Sequence, residues 1–588
     1  MKIPGTFSAL DTHLAECIER LSGKRDADLR FAVKLVSRHT AQGNICLDLS
    51  TVAGCFPEGG EGCLPSLDEW SASLQSTDVV TGPGGNAPLI FDPPLLYLNR
   101  YYMYEASVAS FVRERTGAGI GTIDSVQVGR ALELLFPEEE DCGGINWQKV
   151  ACLVAFSQRV SVIGGGPGTG KTTVVAKVLA LCLEMAGDRP VKIMLAAPTG
   201  KAAARLQEAL AGAKQGLFCS DAVKDKMVAE AMTVHRLLGS GRAGFHYNKD
   251  NPLPADIVVV DEASMVDLPL MARLMAAIPG KCRLILLGDR YQLASVQPGA
   301  VFGDLCRASR EGFSCKFNEF ASAAGVAGLP VGPSGGLVDF FVELKQSFRF
   351  SEESGIFLVS RAVKEGDGEA ALVLLKDEKC KDVCWRDHEG FPADMFSAEL
   401  LSRIQKHMQY VLEASGPEEA LSRMAGFAVL CALRHGPMGS KSINRMASDV
   451  LGAGGSWYHG RPVMVSRNHH GRQLYNGDSG LFWAEKSVAE QPQVYFSAGT
   501  AVRAFLPQQL PEHETSYAMT VHKSQGSEFD HVLLILPDIP SPVVVSELIY
   551  TALTRARKSV EVWGDPALFR EAAASRVLRR SGLVKALT

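Results

Sequence analysis

The sequence lacks several features that would assign it to a familiar class of protein. It has no run of about 18 consecutive apolar residues, the length that a membrane-spanning helix requires. Its N-terminal stretch, MKIPGTFSALDTHLAE, contains no apolar segment typical of a secretory signal. Neither sign of charge dominates, because 60 Lys and Arg stand against 65 Asp and Glu, for a net charge of −5. We therefore expect a cytoplasmic protein with no membrane partner, and any nucleic-acid site must be a local basic groove.

The cysteines do not form a metal-binding pattern. The 14 cysteines are scattered along the chain. Cys380 and Cys384 could form one metal-binding pair, but no second pair follows nearby at the spacing of a zinc site. Others, such as Cys182 and Cys431, lie in apolar runs, which is typical of reduced core thiols in a cytosolic protein. A nuclease centre is not indicated either, since no cluster of carboxylates and lysine stands outside the predicted nucleotide site.

The 588 residues are too many for one hydrophobic core, and changes in pattern divide them. Residues 1–115 show three- and four-residue apolar spacings, which predict a mainly helical domain. Apolar runs alternate with amphipathic segments over residues 116–340 and again over 341–455 and 516–588, which predicts two α/β domains with parallel sheets. Short alternating strands with Gly and Asn turns over 456–515 predict a small β-barrel inserted in the second α/β domain.

A glycine-rich motif predicts a nucleotide site. The string GGPGTGKT at 165–172 matches G-x-x-x-x-G-K-[ST] and lies between an apolar run and a helical stretch. Its glycines let backbone N–H groups face phosphates, and the helix N-terminus adds positive potential. We expect Lys171 to reach the β- and γ-phosphates of ATP and the Thr172 hydroxyl to hold Mg²⁺. The residues expected to contact the nucleotide here are Gly165, Gly166, Pro167, Gly168, Thr169, Gly170, Lys171, Thr172 and Thr173.

Two later apolar runs end in residues suited to hydrolysis. Asp261 and Glu262 follow the run IVVV, and we expect Asp261 to bind Mg²⁺ while Glu262 orients and deprotonates the attacking water. Gln292 follows the next run, where its amide can contact the γ-phosphate or the water and report the nucleotide state. The paired carboxylates favour hydrolysis over kinase chemistry, since a kinase must keep water away from the γ-phosphate.

Arginines later in the chain predict a second contribution to the same site. Arg349 lies in KQSFRF, just after a segment rich in Gly, Pro and Ser, and Arg555 lies in YTALTRAR. An arginine presented to the γ-phosphate from a second domain stabilises the charge of the transition state. It also makes domain closure depend on ATP. For Arg557, in the same string as Arg555, a surface role is equally compatible with the sequence.

Three polar strings predict contacts with a nucleic-acid backbone. APTGKA and TVHRL follow apolar runs at the sheet edge where ligands collect, and MTVHKSQGSEF is similarly polar. Hydroxyls, lysines and backbone N–H groups can bind phosphates without reading a base sequence. Taken alone, each string is explained equally well by a capped helix or a polar turn. The residues concerned are Pro198, Thr199, Lys201, Thr233, His235, Thr520, His522, Lys523 and Gln525.

In their order, these motifs resemble those of superfamily 1 helicases, and most closely the RecD branch, named after the alpha subunit of exodeoxyribonuclease V (RecBCD). The strings are GGPGTGKT, APTGKAAARL, TVHRLLG, VVVDEASMVD, LLGDRYQLASVQPGA, QSFRF, TVHKSQGSEFD and YTALTRAR. The flanking strings LCALRHGP and WYHGRPVMVSRN resemble the same branch. The resemblance extends from about residue 90 to about residue 565.

The resemblance implies an ATP-dependent motor that moves 5′→3′ on single-stranded DNA. It implies two RecA-like domains, with the inserted barrel at 456–515 being SH3-like. It also implies that Gln148, in the string NWQ, recognises adenine. The expected setting is a heterotrimer that processes DNA ends in double-strand break repair and recombination. There the N-terminal domain would contact a RecC-like subunit, and a RecB-like subunit would carry the nuclease.

Two other interpretations remain open at this stage. Stand-alone RecD-like helicases share these motifs, but they carry a larger N-terminal region, often with helix-hairpin-helix elements that are not evident in this sequence. A regulatory subunit with a vestigial ATPase is the other interpretation. We would expect such a subunit to have lost at least one of the motor residues, yet Lys171, Thr172, Asp261, Glu262, Gln292 and Arg555 are all present. The tyrosines between residues 97 and 104 could serve core packing or a partner surface.

Overall fold

A computed structural model describes residues 6–56, 63–116, 124–137, 144–227, 230–241, 244–333, 337–387, 393–452, 455–484, 491–498, 501–577 and 579–588. Within these ranges, no helix is long and apolar enough to cross a membrane. The described chain forms four larger sheets and one short two-stranded hairpin.

The N-terminal region is helical, as predicted, but it also contains a sheet that the sequence analysis missed. The helices are α1 (Ala9–Ser22), α2 (Ala27–Ala41), α3 (Leu67–Gln75) and α4 (Asn99–Arg115). The strands are β1 (Cys46–Asp48), β2 (Val80–Thr81), β3 (Leu89–Asp92) and β4 (Leu95–Leu98), in the order β1-β4-β3-β2. Strands of two to four residues carry too little alternation to be recognised from the sequence.

The tyrosines of this region serve packing. Tyr97 is only 1% exposed, and its hydroxyl donates to a Glu105 carboxylate oxygen at 3.0 Å. The side chains of Tyr101, Tyr102 and Tyr104 lie partly buried against the hydrophobic core that the first α/β domain shares with α4. This contact joins the N-terminal region to the first α/β domain.

The first α/β domain is built on a six-stranded parallel sheet in the order β12-β5-β11-β10-β6-β7. The strands of this region are β5 (Val160–Gly165), β6 (Ile193–Ala197), β7 (Ala231–Thr233), β8 (Ser240–Gly241), β9 (Gly244–Phe245), β10 (Ile257–Val260), β11 (Arg283–Gly288) and β12 (Phe341–Leu344), of which β8 and β9 form the hairpin. The helices are α5 (Ser125–Leu135), α6 (Trp147–Ser157), α7 (Lys171–Ala186), α8 (Gly200–Gln215), α9 (Asp221–Lys226), α10 (Val234–Leu237), α11 (Leu268–Ala277), α12 (Val301–Ala308) and α13 (Cys315–Ala323). The central strands are buried on both faces, as expected for a parallel sheet covered by helices.

The end of this domain lies later than the boundary predicted at residue 340. Strand β12 pairs in parallel with β5, with Phe341 opposite Val162, so the sheet extends to Leu344. The preceding segment, rich in Gly, Pro and Ser, resembles a linker in sequence. Strand β12, which follows this segment, lies at the edge of the same sheet.

The second α/β domain contains a five-stranded parallel sheet in the order β13-β22-β21-β14-β20. Its helices and those that follow are α14 (Gly355–Glu365), α15 (Gly368–Lys376), α16 (Ala393–Leu412), α17 (Pro417–Met424), α18 (Ser440–Leu451), α19 (Ser546–Leu553), α20 (Pro566–Ala574) and α21 (Leu583–Leu587). The strands from residue 383 onward are β13 (Val383–Asp387), β14 (Phe427–Cys431), β15 (Pro462–Val465), β16 (Ser479–Trp483), β17 (Gln493–Ala498), β18 (Ala501–Phe505), β19 (His513–Thr515), β20 (Ala518–Thr520), β21 (Phe529–Ile535) and β22 (Ala556–Gly564).

Strands β15 to β19 form a separate antiparallel sheet inserted between β14 and β20. Its order is β18-β17-β16-β15-β19, with β18 and β19 at the two edges. The sequence predicts short strands over residues 456–515, and the described part of that range contains these five. The turn at residues 475–478 projects from this sheet, and its contacts bear on the site described below.

The C-terminal residues do not stay with the second α/β domain, to which the sequence analysis assigned them. Helix α21 packs against α4 and α12. The backbone N–H of Gly582 donates to Glu105 at 3.0 Å, and the Lys585 ammonium donates to Asp92 at 3.0 Å. The chain therefore ends on the N-terminal region and the first α/β domain.

Candidate nucleotide site and DNA-binding loops

The glycine-rich loop closes around the ammonium of Lys171. It follows β5 and leads into α7, which begins at Lys171. Gly168 and Gly170 have φ of 74° and 79°, the left-handed region that favours glycine. The Lys171 ammonium donates to the carbonyl oxygens of Gly165 at 2.7 Å and Gly166 at 2.9 Å. The loop thus holds a fixed positive charge at a helix N-terminus, which is an arrangement suited to phosphates.

Two carboxylates stand at the end of β10, two strands from the loop. Glu262 has φ of 50°, an uncommon conformation for a residue with a side chain, and its N–H donates to the Asp261 carboxylate at 2.8 Å. Burial and the neighbouring Glu262 charge raise the pKa of Asp261, against the opposing charge of Lys171. A cation bound here would relieve the repulsion between the two carboxylates.

Gln292 belongs to a buried polar group that the sequence analysis only partly identified. The Gln292 side chain is 7% exposed, and its amide donates to Asp289 at 3.4 Å. The hydroxyl of Tyr550, from the second domain, donates to the same Asp289 oxygen at 3.0 Å. A Cβ added to Gly166 would lie 3.1 Å from that hydroxyl. Asp289 and Tyr550 therefore connect the glycine-rich loop of the first domain to the second domain. The acidic residue in the string GDRYQ was the feature of the sequence that could have identified this group.

Arg349 lies directly against the glycine-rich loop. The N–H of Phe348 donates to the Gly168 carbonyl at 2.8 Å, and a Cβ on Gly168 would lie 2.3 Å from the Cβ of Arg349. The Arg349 guanidinium donates to Glu528, the residue that precedes β21, at 2.5 Å. The connection between the two parallel sheets, rather than the second sheet itself, thus places this arginine in the cleft.

Glu528 joins three segments of the chain, and no sequence motif singled it out as an arginine partner. Its carboxylate binds Arg205 of α8 at 3.1 Å, Arg349, and Arg557 of β22 at 3.1 Å. Burial alone raises the pKa of Glu528, but the charges of Arg205 and Arg349 outweigh it and hold the pKa at about 2. Glu528 therefore remains ionised and fixes a group of arginines beside the nucleotide loop.

Arg555 is enclosed at the end of α19. It is 3% exposed, and its guanidinium donates to the carbonyl oxygens of Thr551 at 3.3 Å and Ser527 at 3.2 Å. Burial lowers its pKa, and the charge of Glu262 across the cleft opposes that shift. The side chain is thus held in the second domain while it faces the catalytic carboxylate predicted in the first.

A cavity of about 340 Å³ lies beside the glycine-rich loop. Gln148, at the start of α6, lines it and donates an amide N–H to the Thr169 carbonyl at 3.3 Å. Trp147, Phe136 and Phe348 also line it, and Phe348 is 58% exposed. The aromatic side chains were missed, although Trp147 and Phe348 are adjacent to residues that the sequence analysis selected.

Thr199 and Thr233 serve as helix caps at adjacent strand ends. Strands β6 and β7 pair with Ala197 opposite Thr233. The Thr199 hydroxyl accepts from the Ala202 N–H, and the Thr233 hydroxyl accepts from the Arg236 N–H, both at 3.2 Å. The structure therefore places the two predicted DNA loops side by side. Pro198 is half-buried and His235 is exposed at the same edge.

Lys201 contacts the inserted sheet in this arrangement. Its ammonium donates to the Gly477 carbonyl at 3.3 Å, and a Cβ on the preceding Gly200 would overlap the Tyr475 ring. Loss of hydration lowers the pKa of Lys201 to about 8, although the charge of Asp478 raises it. Gly200, Lys201, Tyr475 and Asp478 line a cleft of about 940 Å³ between the first domain, the second domain and the inserted sheet.

The remaining predicted DNA residues follow β20, which ends at Thr520. The Gln525 amide donates to the Leu293 carbonyl at 3.2 Å, one residue beyond Gln292 in the first domain. Lys523 forms an ion pair with Glu514 at 2.5 Å. Burial lowers the pKa of His522, and the charge of Arg579 lowers it further. This loop thus connects the two domains as well as presenting polar groups.

Several known proteins are similar to this chain. Residues 148–298 match the family described as AAA domain, 515–562 match the UvrD-like helicase C-terminal domain, and 4–97 match the N-terminal domain of RecBCD enzyme subunit RecD. RecBCD enzyme subunit RecD of Mycolicibacterium smegmatis is 36% identical over 98% of this chain and 97% of its own length. The subunit of Mycobacterium tuberculosis is 35% identical over 98% and 94%. The ATP-dependent RecD2 DNA helicase of Deinococcus radiodurans is 28% identical over 75% of this chain and 52% of its own length.

The site and the matches together define the class of protein. A glycine-rich loop on one parallel sheet lies beside arginines held near a second parallel sheet. The first half matches an AAA domain, the second matches a helicase C-terminal domain, and a DNA helicase is among the relatives, so the chain is built as an ATP-dependent helicase. The full-length similarity and the matching N-terminal domain define the family. The chain belongs to the family of RecBCD enzyme subunit RecD.

Proposed function

We propose that the chain is an ATP-dependent 5′→3′ DNA helicase, the alpha subunit of an exodeoxyribonuclease V (RecBCD)-type complex that processes DNA ends in the cytoplasm. The observation that carries the proposal is a single cleft in which the loop around Lys171 contacts Arg349 and the charge of Glu262 acts on Arg555. Hydrolysis in such a cleft changes the attraction between two domains, which is how ATP can produce movement along DNA.

The chemistry of the first domain follows from its charges. Lys171 and the loop N–H groups bind the β- and γ-phosphates. The Thr172 hydroxyl and the Asp261 carboxylate are hard oxygen donors, as Mg²⁺ requires, and the repulsion between Asp261 and Glu262 favours a cation at this position. Mg²⁺ held by these residues would neutralise part of the negative charge of the phosphates. Glu262 accepts the proton of the attacking water, and Gln292 senses the γ-phosphate.

The second domain and the connection supply the remaining positive charge. Arg349 and Arg555 stabilise the negative charge that develops on the transferred phosphoryl group. Because Glu528 already orients Arg349, the guanidinium needs little rearrangement when nucleotide binds. Gln148 reads the edge of adenine in the adjacent cavity, and the exposed Phe348 ring offers a stacking surface for the base.

DNA would run across the edge where the loops of both domains lie. The hydroxyls of Thr199, Thr233 and Thr520 and the side chains of His522 and Lys523 are suited to a phosphate backbone. Gln525 connects this path to the nucleotide through its bond to Leu293. Pro198, Lys201 and His235 complete the first-domain edge. We further propose that the inserted sheet is an SH3-like barrel that borders this path.

The proposed partners are single-stranded DNA at duplex ends and RecB-like and RecC-like subunits, with the N-terminal region facing the RecC-like subunit. Two relatives along nearly the whole chain carry the name of a RecBCD subunit, and this supports the complex over a stand-alone enzyme. Co-purification of the tagged chain from its own cells tests the assignment, since a heterotrimer is expected. Recovery of the chain as a processive monomer would contradict it.

The direction of movement can be measured on tailed duplexes. With ATP and Mg²⁺, we expect the purified chain to displace the strand of a 5′-tailed duplex and to leave the matched 3′-tailed duplex intact. The 3′-tailed substrate is the control, because its length, sequence and tail are the same. Displacement of both substrates at the same rate would contradict the proposed polarity.

A further inference from the structure

The segment after α20 connects both α/β domains to the N-terminal region, and we name residues 575–577 and 579–588 the C-terminal strap. Its first part is fixed to the second domain. The Ser546 N–H donates to the Ser575 carbonyl at 2.8 Å, and the Val577 N–H donates to Glu547 at 3.2 Å. The Arg576 guanidinium donates to the Lys364 carbonyl.

The next part of the strap is fixed to other domains. The Ile45 N–H donates to the Arg580 carbonyl at 2.8 Å, and the Ser581 hydroxyl donates to Asp304 at 2.8 Å. The strap therefore contacts the second domain up to Val577, and the first domain and the N-terminal region from Arg579 onward. A displacement of the second domain must act on whatever Arg579 holds, since Val577 and Arg579 are two positions apart in the chain and covalent geometry limits how far they can separate.

Arg579 holds the loop that follows Gln292. Its guanidinium donates to the Gln297 carbonyl at 2.8 Å, to the Gly299 carbonyl at 2.7 Å and to both the carbonyl and the hydroxyl of Ser295. A planar guanidinium with its donors arranged around the edge suits such a ring of carbonyl oxygens, whereas an ammonium cannot reproduce it. The loop is thus wrapped around one arginine side chain.

The other end of the same loop is hydrogen-bonded to the second α/β domain. The Leu293 N–H donates to the Thr551 hydroxyl at 3.0 Å, and its carbonyl accepts from Gln525. Arg579 also lies close enough to His522, in the predicted DNA loop, to lower the pKa of that imidazole. On the other side, a Cβ on Gly43 of the N-terminal region would lie 3.1 Å from the guanidinium carbon. One arginine therefore lies between the loop after Gln292, the DNA loop and the N-terminal region.

We infer that the C-terminal strap couples movement of the second domain to the loop Leu293–Gly299, with Arg579 as the positioning residue that sets this loop. The inference rests on the proposed function. Arg579 does not contact the nucleotide loop in this structure, so it should act on the communication between DNA and the nucleotide site rather than on hydrolysis itself. Changes that act through such coupling alter it by between about twofold and thirtyfold.

The test is the ratio of poly(dT)-stimulated to basal ATP hydrolysis in the full-length chain. We expect Arg579→Gln to lower this ratio about tenfold through the stimulated kcat, and Arg579→Lys to restore part of it. Arg570→Gln is the matched control, because it removes the same charge from an exposed ion pair with Glu369, within the second domain but outside the strap. We expect that control to keep the wild-type ratio.

Each other result overturns the inference in a different way. If Arg579→Gln keeps the wild-type ratio, or lowers basal and stimulated rates by the same factor, Arg579 serves only the fold. If Arg579→Gln does not fold, the decision falls to Arg579→Lys, and a wild-type ratio in that variant overturns the inference. If wild-type hydrolysis is not stimulated by poly(dT), the proposed function itself fails, and the coupling fails with it.

Discussion

The nucleotide loop and the predicted DNA loops differ in where their polar groups find partners. Lys171 is satisfied by carbonyl groups a few residues away, within its own motif. Lys201 and Gln525 instead bind carbonyl groups of Gly477 and Leu293, each more than two hundred residues distant in sequence. A site built from local contacts is preformed before ligand binds, whereas loops tied to other domains can exchange those contacts for DNA. Four predictions test whether the two kinds of loop differ in this way.

The largest effect is expected at the preformed site. Lys171→Gln should reduce DNA-stimulated ATP hydrolysis by roughly a thousandfold or more, because the neutral amide cannot balance the charge of the γ-phosphate. The melting temperature should stay near the wild-type value, since the loop is also held by the Thr169 bond to Gly166. Lys249→Gln, an exposed lysine in the same domain, is the control. Persistent hydrolysis in the Lys171 variant would contradict the assignment of this chain as an ATP-driven motor.

The next effect distinguishes two arginines that share one partner. Arg349 and Arg557 both bind Glu528, but only Arg349 also lies against the nucleotide loop at Gly168. Arg349→Gln should lower kcat by roughly a hundredfold to a thousandfold, in the range expected for a guanidinium that stabilises the transition state. Arg557→Gln should change kcat by less than about threefold, as for a surface ion pair. Equal losses of kcat in the two variants would mean that the shared contact with Glu528, rather than distance from the phosphates, determines the role of both arginines.

Local motifs and long-range contacts also differ in how far the sequence predicts them. The glycine-rich loop and the Asp261-Glu262 pair were recognisable because their geometry depends on neighbouring residues in one string. The apolar runs predicted two parallel sheets but not the order of their strands, and β12 was missed because its return to the first sheet depends on pairing with β5. Glu528 and Arg579 were not recognisable in their roles, because each acts through partners supplied by several distant segments. Tertiary contacts of this kind leave no local pattern.

A third prediction concerns the base cavity. Gln148→Ala should raise the KM for ATP by about tenfold, because an amide that can pair with the adenine edge is worth roughly 1–2 kcal/mol when it is enclosed. The KM for GTP should change much less, so the ratio of kcat/KM for ATP to that for GTP should fall. This ratio is an internal control, because general damage to the site would lower kcat/KM for ATP and for GTP alike and leave the ratio unchanged. An unchanged ratio would remove Gln148 from base recognition.

The smallest effect bears on the DNA loops themselves, at Lys201. Its pKa of about 8 in the folded chain lies below the ordinary value of 10.5, because the ammonium loses hydration beside Gly477. The unfolded chain therefore holds this proton more tightly, and stability should rise as the pH passes from about 8 toward 10.5. Lys201→Met should melt at a higher temperature than wild type at pH 7, and the difference should narrow by pH 10.

The same variant tests whether Lys201 leaves the inserted sheet to bind a phosphate when DNA enters. If it does, Lys201→Met should show a weaker salt dependence of single-stranded DNA binding, by roughly 0.7 in the slope of log K against log salt. An unchanged slope with the same thermal gain would mean that Lys201 only joins the first domain to the inserted sheet, and the exchange of contacts would then have to rest on the loop from Thr520 to Gln525.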